Sequence, residues 1–184
     1  MWRSWPTVLW TISREPAVER RLAEELQTVT DRRRYGAGDL ARSSLVAMAA
    51  QEGLRLFPPA KSIIRAANQD CEVAGRRISN GTFIVMSQWV VQRDPRFFDR
   101  PDVFDPDRWR DDAATRLPRF AYFPFGGGPR LCLGFAFAEA MLRVTLAEVM
   151  SRVRLVPDPE PARTEWDPAT LRPKRGIWMS AIPR

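Results

Sequence analysis

Phe125-Gly126-Gly127-Gly128-Pro129-Arg130-Leu131-Cys132-Leu133-Gly134 is the stretch around which the 184-residue chain is organised. Three consecutive glycines followed by a proline oppose a regular helix or strand there. Glycine, lacking a Cβ, permits positive φ and lets the backbone approach a flat ligand closely. From Gly134 to about Val153 the pattern turns helical, with Ala138, Met141, Leu142, Thr145 and Val149 spaced for one face. Cys132 therefore stands just before a helix N-terminus. Free N–H groups and the helix dipole favour an anion at that place, and so a thiolate, the kind of ligand iron accepts. Taken alone, the stretch also suits a buried, inert free cysteine beside a glycine loop. A phosphate-binding loop is less apt, because no Gly-Lys-Ser/Thr follows.

Composition narrows the choice. The length is that of one domain with a sizeable core, and 45% of residues are apolar. The two cysteines, Cys71 and Cys132, lie far apart. That spacing argues against a disulfide framework or a structural zinc site and fits a reducing compartment. The chain has no histidine, so if it binds an iron, histidine ligation is excluded and cysteine is the natural choice. The net charge is +7, and every basic residue except Lys61 and Lys174 is arginine. The arginines are spread along the chain, apart from Arg32-Arg33-Arg34, which reads as a solvated loop, so nucleic acid is not an expected partner. No run of about 18 apolar residues exists to span a membrane, and the start lacks the apolar core of a signal peptide.

Upstream, Val8 to Ser13 reads as the tail of a helix, and Pro16 opens another at the position where proline is tolerated. Val18, Leu22, Leu26 and Val29 form its apolar stripe, with Glu19, Arg20, Arg21, Glu24 and Glu25 on a solvated face. Asp39 reads as a cap for a short helix. Leu45 to Leu56 is helical and is stopped by Pro58-Pro59. Glu52 and Arg55, three apart, share one face and can pair; an isolated pair of this kind is an ordinary surface contact worth at most about 1 kcal/mol. Lys61 to Val91 alternates like strands, with Asn80-Gly81 as a hairpin-type turn. Val153 to Arg184 reads as strands and turns.

The order Phe-x-x-Gly-x-Arg-x-Cys-x-Gly, met by Phe125, Gly128, Arg130, Cys132 and Gly134, resembles the signature of the haem-thiolate monooxygenases, the cytochrome P450 family. Three further stretches are similar to family motifs in the family's order. Glu52-Gly53-Leu54-Arg55 with its Pro-Pro stop resembles the Glu-x-x-Arg helix, Pro106-Asp107-Arg108-Trp109 the Pro-x-Arg-aromatic motif, and Thr170-Leu171-Arg172-Pro173 the C-terminal hairpin.

The resemblance implies a mainly α fold with small β-sheets (α+β), residues 1–184 being the C-terminal part of a cytochrome P450 domain. It implies haem b, with Cys132 as the iron ligand, Phe125 packed beside the sulfur and Arg130 paired with a propionate. Gly128 would permit a bulge, and Gly134 would let the next helix pass close under the ring. Arg65 falls where the family often places a second propionate-binding arginine; a surface arginine at a strand edge is the alternative. Glu52, Arg55 and Arg108 would form a buried structural triad. Ser62, Ile63 and Ile64 would face substrate, and so would Leu171 if it is not simply core. Gln92 stands where many members carry histidine, which leaves one propionate contact open. The implied activity is insertion of one atom of O2 into a small lipophilic substrate. Electrons would come from NAD(P)H indirectly, through a ferredoxin or flavoprotein reductase. The family's long central helix, with its acid/alcohol pair, would end about where Met1 stands. The alternative is therefore a truncated, catalytically incompetent haem-binding fragment. A cytoplasmic location is expected, any family membrane anchor lying upstream of this stretch.

Overall fold

The computed structural model describes residues 5–30, 35–158, 164–166, 171–173 and 176–184. Four longer helices make the core: α1 (Trp5–Ser13), α2 (Pro16–Thr30), α3 (Ser44–Leu56) and α5 (Phe135–Met150). Between α3 and α5 lie β1 (Ile63–Ala66), β2 (Cys71–Val73), β3 (Arg76–Ile78), β4 (Phe83–Met86) and a one-turn helix α4 (Gln88–Val91). The chain closes with β5 (Val153–Pro157), β6 (Thr164–Trp166), β7 (Leu171–Pro173) and β8 (Met179–Pro183). All strand pairs are antiparallel and two-stranded: β1 with β4, β2 with β3, β5 with β8, and β6 with β7. This is the mixed fold expected from the sequence.

One apolar cluster joins the helices. Val8 and Ile12 of α1, Leu22 and Leu26 of α2, and Val46, Ala49 and Ala50 of α3 meet Leu142, Leu146, Ala147 and Met150 of α5. Small residues set the spacing. A Cβ on Gly53 would stand 2.6 Å from a γ-carbon of Val8, so α1 crosses α3 only because position 53 has no side chain. Helix α3 stops where expected, its last carbonyls closed by the Phe57 N–H to Gly53 O (2.8 Å) before the prolines.

Several local expectations are corrected. The face of α2 opposite its stripe is not simply solvated. Glu19 is buried against Arg184, and Arg21 makes a two-pronged pair with Asp107 at 2.8 Å on both arms. Glu25 accepts from the Leu45 and Val46 N–H groups (2.8 and 3.1 Å), capping α3 from another helix. Asp39 ends a 3-10 turn (Ala37–Asp39) instead of starting a helix, and folds back to the Gly36 N–H at 2.8 Å. Residues 88–91 are helical, not strand, because the Ser87 hydroxyl accepts from the Val90 N–H and caps the turn. Asn80-Gly81 does form a turn (Thr82 N–H to Ser79 O, 3.1 Å), but it joins β3 to β4, which pair with other strands. The β2–β3 hairpin turns at Ala74-Gly75, both left-handed (φ 51° and 77°). Helix α5 ends at Met150, and its buried face runs through Ala138, Leu142, Leu146 and Met150, with Met141 and Val149 at its flank. Arg32-Arg33-Arg34 and Thr170 lie outside the described residues.

Candidate functional site

The Cys132 loop is a chain of tight turns. Gly126 and Gly128 are left-handed, at φ 81° and 67°. These two positions need glycine, since a Cβ there is disfavoured by about 1–2 kcal/mol. A Cβ on the third glycine, Gly127, would meet the exposed Phe120 ring at 2.4 Å, so the ring would have to swing aside. The Leu131 N–H returns to Gly128 O (3.0 Å), and the Cys132 N–H returns to Phe125 O (3.1 Å), so the backbone at the cysteine is tied to Phe125. Phe125 packs against the core and lies 6.4 Å, centroid to centroid, from Phe135. Gly134 is the N-cap of α5. Cys132 is exposed, with Leu133 fully exposed and Phe137 largely so.

A cavity of about 460 Å³ opens at this thiol. Ser62, Ile63, Ile64 and Arg65 from β1 and its approach form one wall, and Phe125, Gly126, Arg130 and Cys132 form the other. The structure thus brings Phe125, Arg130, Arg65, Ser62, Ile63 and Ile64 to the thiol, while Gly128 and Gly134 lie in the same loop without lining the cavity and Leu171 lies elsewhere. That residue pairs with Trp166 in the β6–β7 ladder, and its side chain lies outside the described residues. The guanidinium of Arg65 is exposed and, among the described residues, donates only to its own neighbour, Ile64 O, at 2.9 Å. Arg130 is exposed as well.

The donor set fits a haem. A soft sulfur stands at one end of an apolar cavity that also presents two guanidinium groups, the chemistry needed for an iron and two carboxylates. Two details support the fit. Nothing lies within 4 Å of a Cβ built on Gly134, whose φ of −89° suits any residue, so the protein's own packing does not require glycine there. Gln88 also lines the cavity; it is 1% exposed, and its Oε1 has no hydrogen-bond partner among the described residues. A buried acceptor left unpaired costs about 1–3 kcal/mol, so a polar partner at this wall of the cavity would be stabilising. Sequence reasoning passed over Gln88, since α4 was read as strand.

The support of the loop is polar and deep. Glu52, fully buried, accepts five hydrogen bonds. Arg55 Nε and Nη2 donate at 2.8 Å each, Trp109 Nε1 at 2.8 Å, and Arg108 Nε and the Asp105 N–H at 3.0 Å each. Arg55, equally buried, donates onward to the carbonyls of Gln92 (2.8 Å), Pro101 (2.6 Å) and Val103 (3.2 Å). Gln92 is wholly engaged: its Nε2 donates to Leu54 O and Arg55 O, and its Oε1 accepts from the Phe123 N–H at 2.9 Å. It is a strut between α3 and the cysteine loop, and its amide is not available to a propionate. Nearby, burial and the neighbouring positive charge of Arg55 lower Arg93 to about 10, while its guanidinium lies 3.4 Å from the Trp89 ring centroid.

Comparisons with known proteins agree with this geometry. The family model described as Cytochrome P450 matches residues 6–179. The chain is 37% identical over 148 residues to cyclooctatin synthase of Streptomyces melanosporofaciens, covering 80% of this chain and 32% of that protein. It is 38% identical over 157 residues to pentalenene oxygenase of Streptomyces avermitilis, covering 84% and 35%. It is 34% identical over 180 residues to cytochrome P450 4d2 of Drosophila melanogaster, covering 96% and 35%. The chain therefore spans about a third of the length of these relatives. No described helix is long and apolar enough to cross a membrane. With nearly all of its length matched, the chain belongs to the cytochrome P450 family, whose cofactor is haem b.

Proposed function

We propose that the chain supplies the thiolate side of a haem monooxygenase site. The observation that carries this reading is the exposed Cys132 thiol at an apolar cavity that also presents Arg65 and Arg130. Cys132 binds the iron as a thiolate, and Phe125 shields the sulfur. Arg130 and Arg65 pair with the carboxylates through charge-assisted hydrogen bonds. Gly128 and Gly134 leave room for a flat ring. When bound, haem supplies O2 activation, which places one oxygen atom in an organic substrate. Ser62, Ile63 and Ile64 give the cavity a largely apolar wall suited to a small lipophilic substrate, and Leu171 is a fourth candidate contact. Glu52, Arg55 and Arg108 act structurally, tying the segment from Gln92 to Trp109 to α3. Electrons come from NAD(P)H through a ferredoxin or flavoprotein reductase, and a basic face around the loop would steer an acidic donor. A cytoplasmic setting supplies such donors and keeps Cys71 and Cys132 reduced.

The test is spectroscopic. The chain is loaded with haem, reduced and exposed to CO. Wild type is expected to show the red-shifted Soret band of thiolate ligation, and Cys132→Ser to lose it. The same band in the variant would remove Cys132 as the ligand.

A second reading is a haem-binding chain that by itself turns nothing over. The exposure of Leu133, Phe135 and Phe137 beside Cys132 favours it, since no wall among the described residues covers them. Product is measured against NAD(P)H consumed, with a reductase system and a panel of lipophilic substrates. Near-zero coupling is expected under this reading, and stoichiometric hydroxylation would refute it.

A further inference from the structure

A second cavity, of about 230 Å³, adjoins the same loop, and the signature motif does not account for it. Tyr122, Phe123, Phe125 and Phe135 give it aromatic walls, and Gln51 and Glu139 give it polar groups. Glu139 is half-buried on α5 and forms no ion pair among the described residues. The arginine one turn along the helix, Arg143, is spaced to pair with it but donates to Leu40 O instead. The negative charge of Glu139 is felt inside the cavity. The Tyr122 hydroxyl, which donates to Gln51 O at 3.3 Å, is pushed well above its ordinary value by burial first, and then by Glu139 and Glu52.

A carboxylate among aromatic rings, with no ion-pair partner among the described residues, selects for positive charge. The ring faces carry negative potential that attracts a cation, and an anion would be repelled by both components. The volume lies below the roughly 300–1,000 Å³ of pockets for drug-sized ligands, so one side-chain head fills it. Guanidinium suits it better than ammonium, being planar, weakly hydrated, able to stack on aromatic faces and able to bind a carboxylate through two N–H groups. We propose that this cavity receives a single arginine side chain presented by a protein that docks beside the Cys132 loop. The occupant rests against Phe125, whose carbonyl holds the Cys132 N–H at 3.1 Å. Docking is thereby felt one hydrogen bond from the sulfur.

The test uses the full 184-residue chain and N-acetyl-arginine amide, followed through the backbone amide shifts of Phe123, Phe125, Gly126 and Glu139. The neutral isostere N-acetyl-citrulline amide is the control. The arginine derivative is expected to shift these four signals saturably, the citrulline one to bind about tenfold more weakly or not at all, and Glu139→Gln to weaken arginine binding by about tenfold. Glu139 is half-buried and has no ion-pair partner among the described residues, so the variant is expected to melt with wild type, which separates lost binding from lost folding. Equal binding of citrulline would mean an apolar slot without charge selection and would overturn the proposal. Unchanged affinity in Glu139→Gln would overturn it too. So would binding of ethylguanidinium without binding of the arginine amide, since the cavity would then take a free cation and no side chain.

Discussion

Replacing Glu52 with alanine tests the buried ion cluster directly. The carboxylate is fully buried and accepts five hydrogen bonds. Removing it leaves the Arg55 guanidinium, itself 0% exposed, without its counter-ion, and leaves Trp109 Nε1 and the Asp105 N–H without acceptors. Breaking one partner from a buried pair costs about 3–5 kcal/mol. The lost hydrogen bonds overlap with that figure and do not add to it, so the working value is about 4 kcal/mol against a total of about 5–15 for a domain. With a urea slope of about 2 kcal/mol/M, the unfolding midpoint should fall by about 2 M. Arg108→Ala is the internal comparison. Arg108 sits at the rim, 11% exposed, and its loss leaves the Arg55–Glu52 pair intact, so it should cost about 1–2 kcal/mol. Far-UV circular dichroism against urea at pH 7 measures both. A Glu52→Ala midpoint within about 0.5 M of wild type would mean a contact worth no more than a surface pair, and the reasoning would fail.

Gly53→Ala should lower stability by up to about 2 kcal/mol. The methyl would stand 2.6 Å from a γ-carbon of the fully buried Val8, and overpacking of about 1–3 kcal/mol opposes the roughly 1 kcal/mol gained in helix propensity. Thermal melts should show Val8→Ala/Gly53→Ala no worse than Val8→Ala alone, and an additive loss would exclude the clash. Asp107 is held at about 2, chiefly by the hydrogen bond from Arg21 and against the opposing effect of burial. Because its folded value lies below its unfolded value of 3.8, its contribution is present above pH 4 and is lost as pH falls toward 2. The pair is half-exposed, so the loss is under about 1 kcal/mol. Asp107→Asn should flatten this acid limb in urea titrations at pH 2 to 5, and an unchanged limb would assign it to other carboxylates.

The parts legible in the sequence were those whose signal is local. The Cys132 loop carries its turns, its ligand and the following helix within a few residues. Helices α2 and α3 announce themselves by an apolar stripe, a proline start and a proline stop. Asn80-Gly81 shows the limit of such signals. A turn's dihedrals are set by its own residues, but which strands pair across it depends on segments elsewhere, here β1 and β2. Ser87-Gln88-Trp89-Val90-Val91 looked extended because valine favours strands, and one hydroxyl cap outweighed that preference. Glu19, Glu25 and Gln92 were misread or left open for a common reason. Their partners, Arg184, the start of α3 and the Phe123 N–H, are distant in sequence, and spacing along one helix cannot name them. The Glu139 cavity draws on three separated segments and has no motif at all.

The struts between α3 and the segment leading to Cys132 are polar. Gln92 holds the Phe123 N–H and the last carbonyls of α3, and the Tyr122 hydroxyl reaches Gln51 O. Apolar cohesion fades on cooling, and hydrogen bonds between fixed groups do not share that dependence. The sulfur should therefore keep its station in the cold better than the four-helix core keeps its tightness, as an instrument mounted on brackets holds alignment while its housing relaxes.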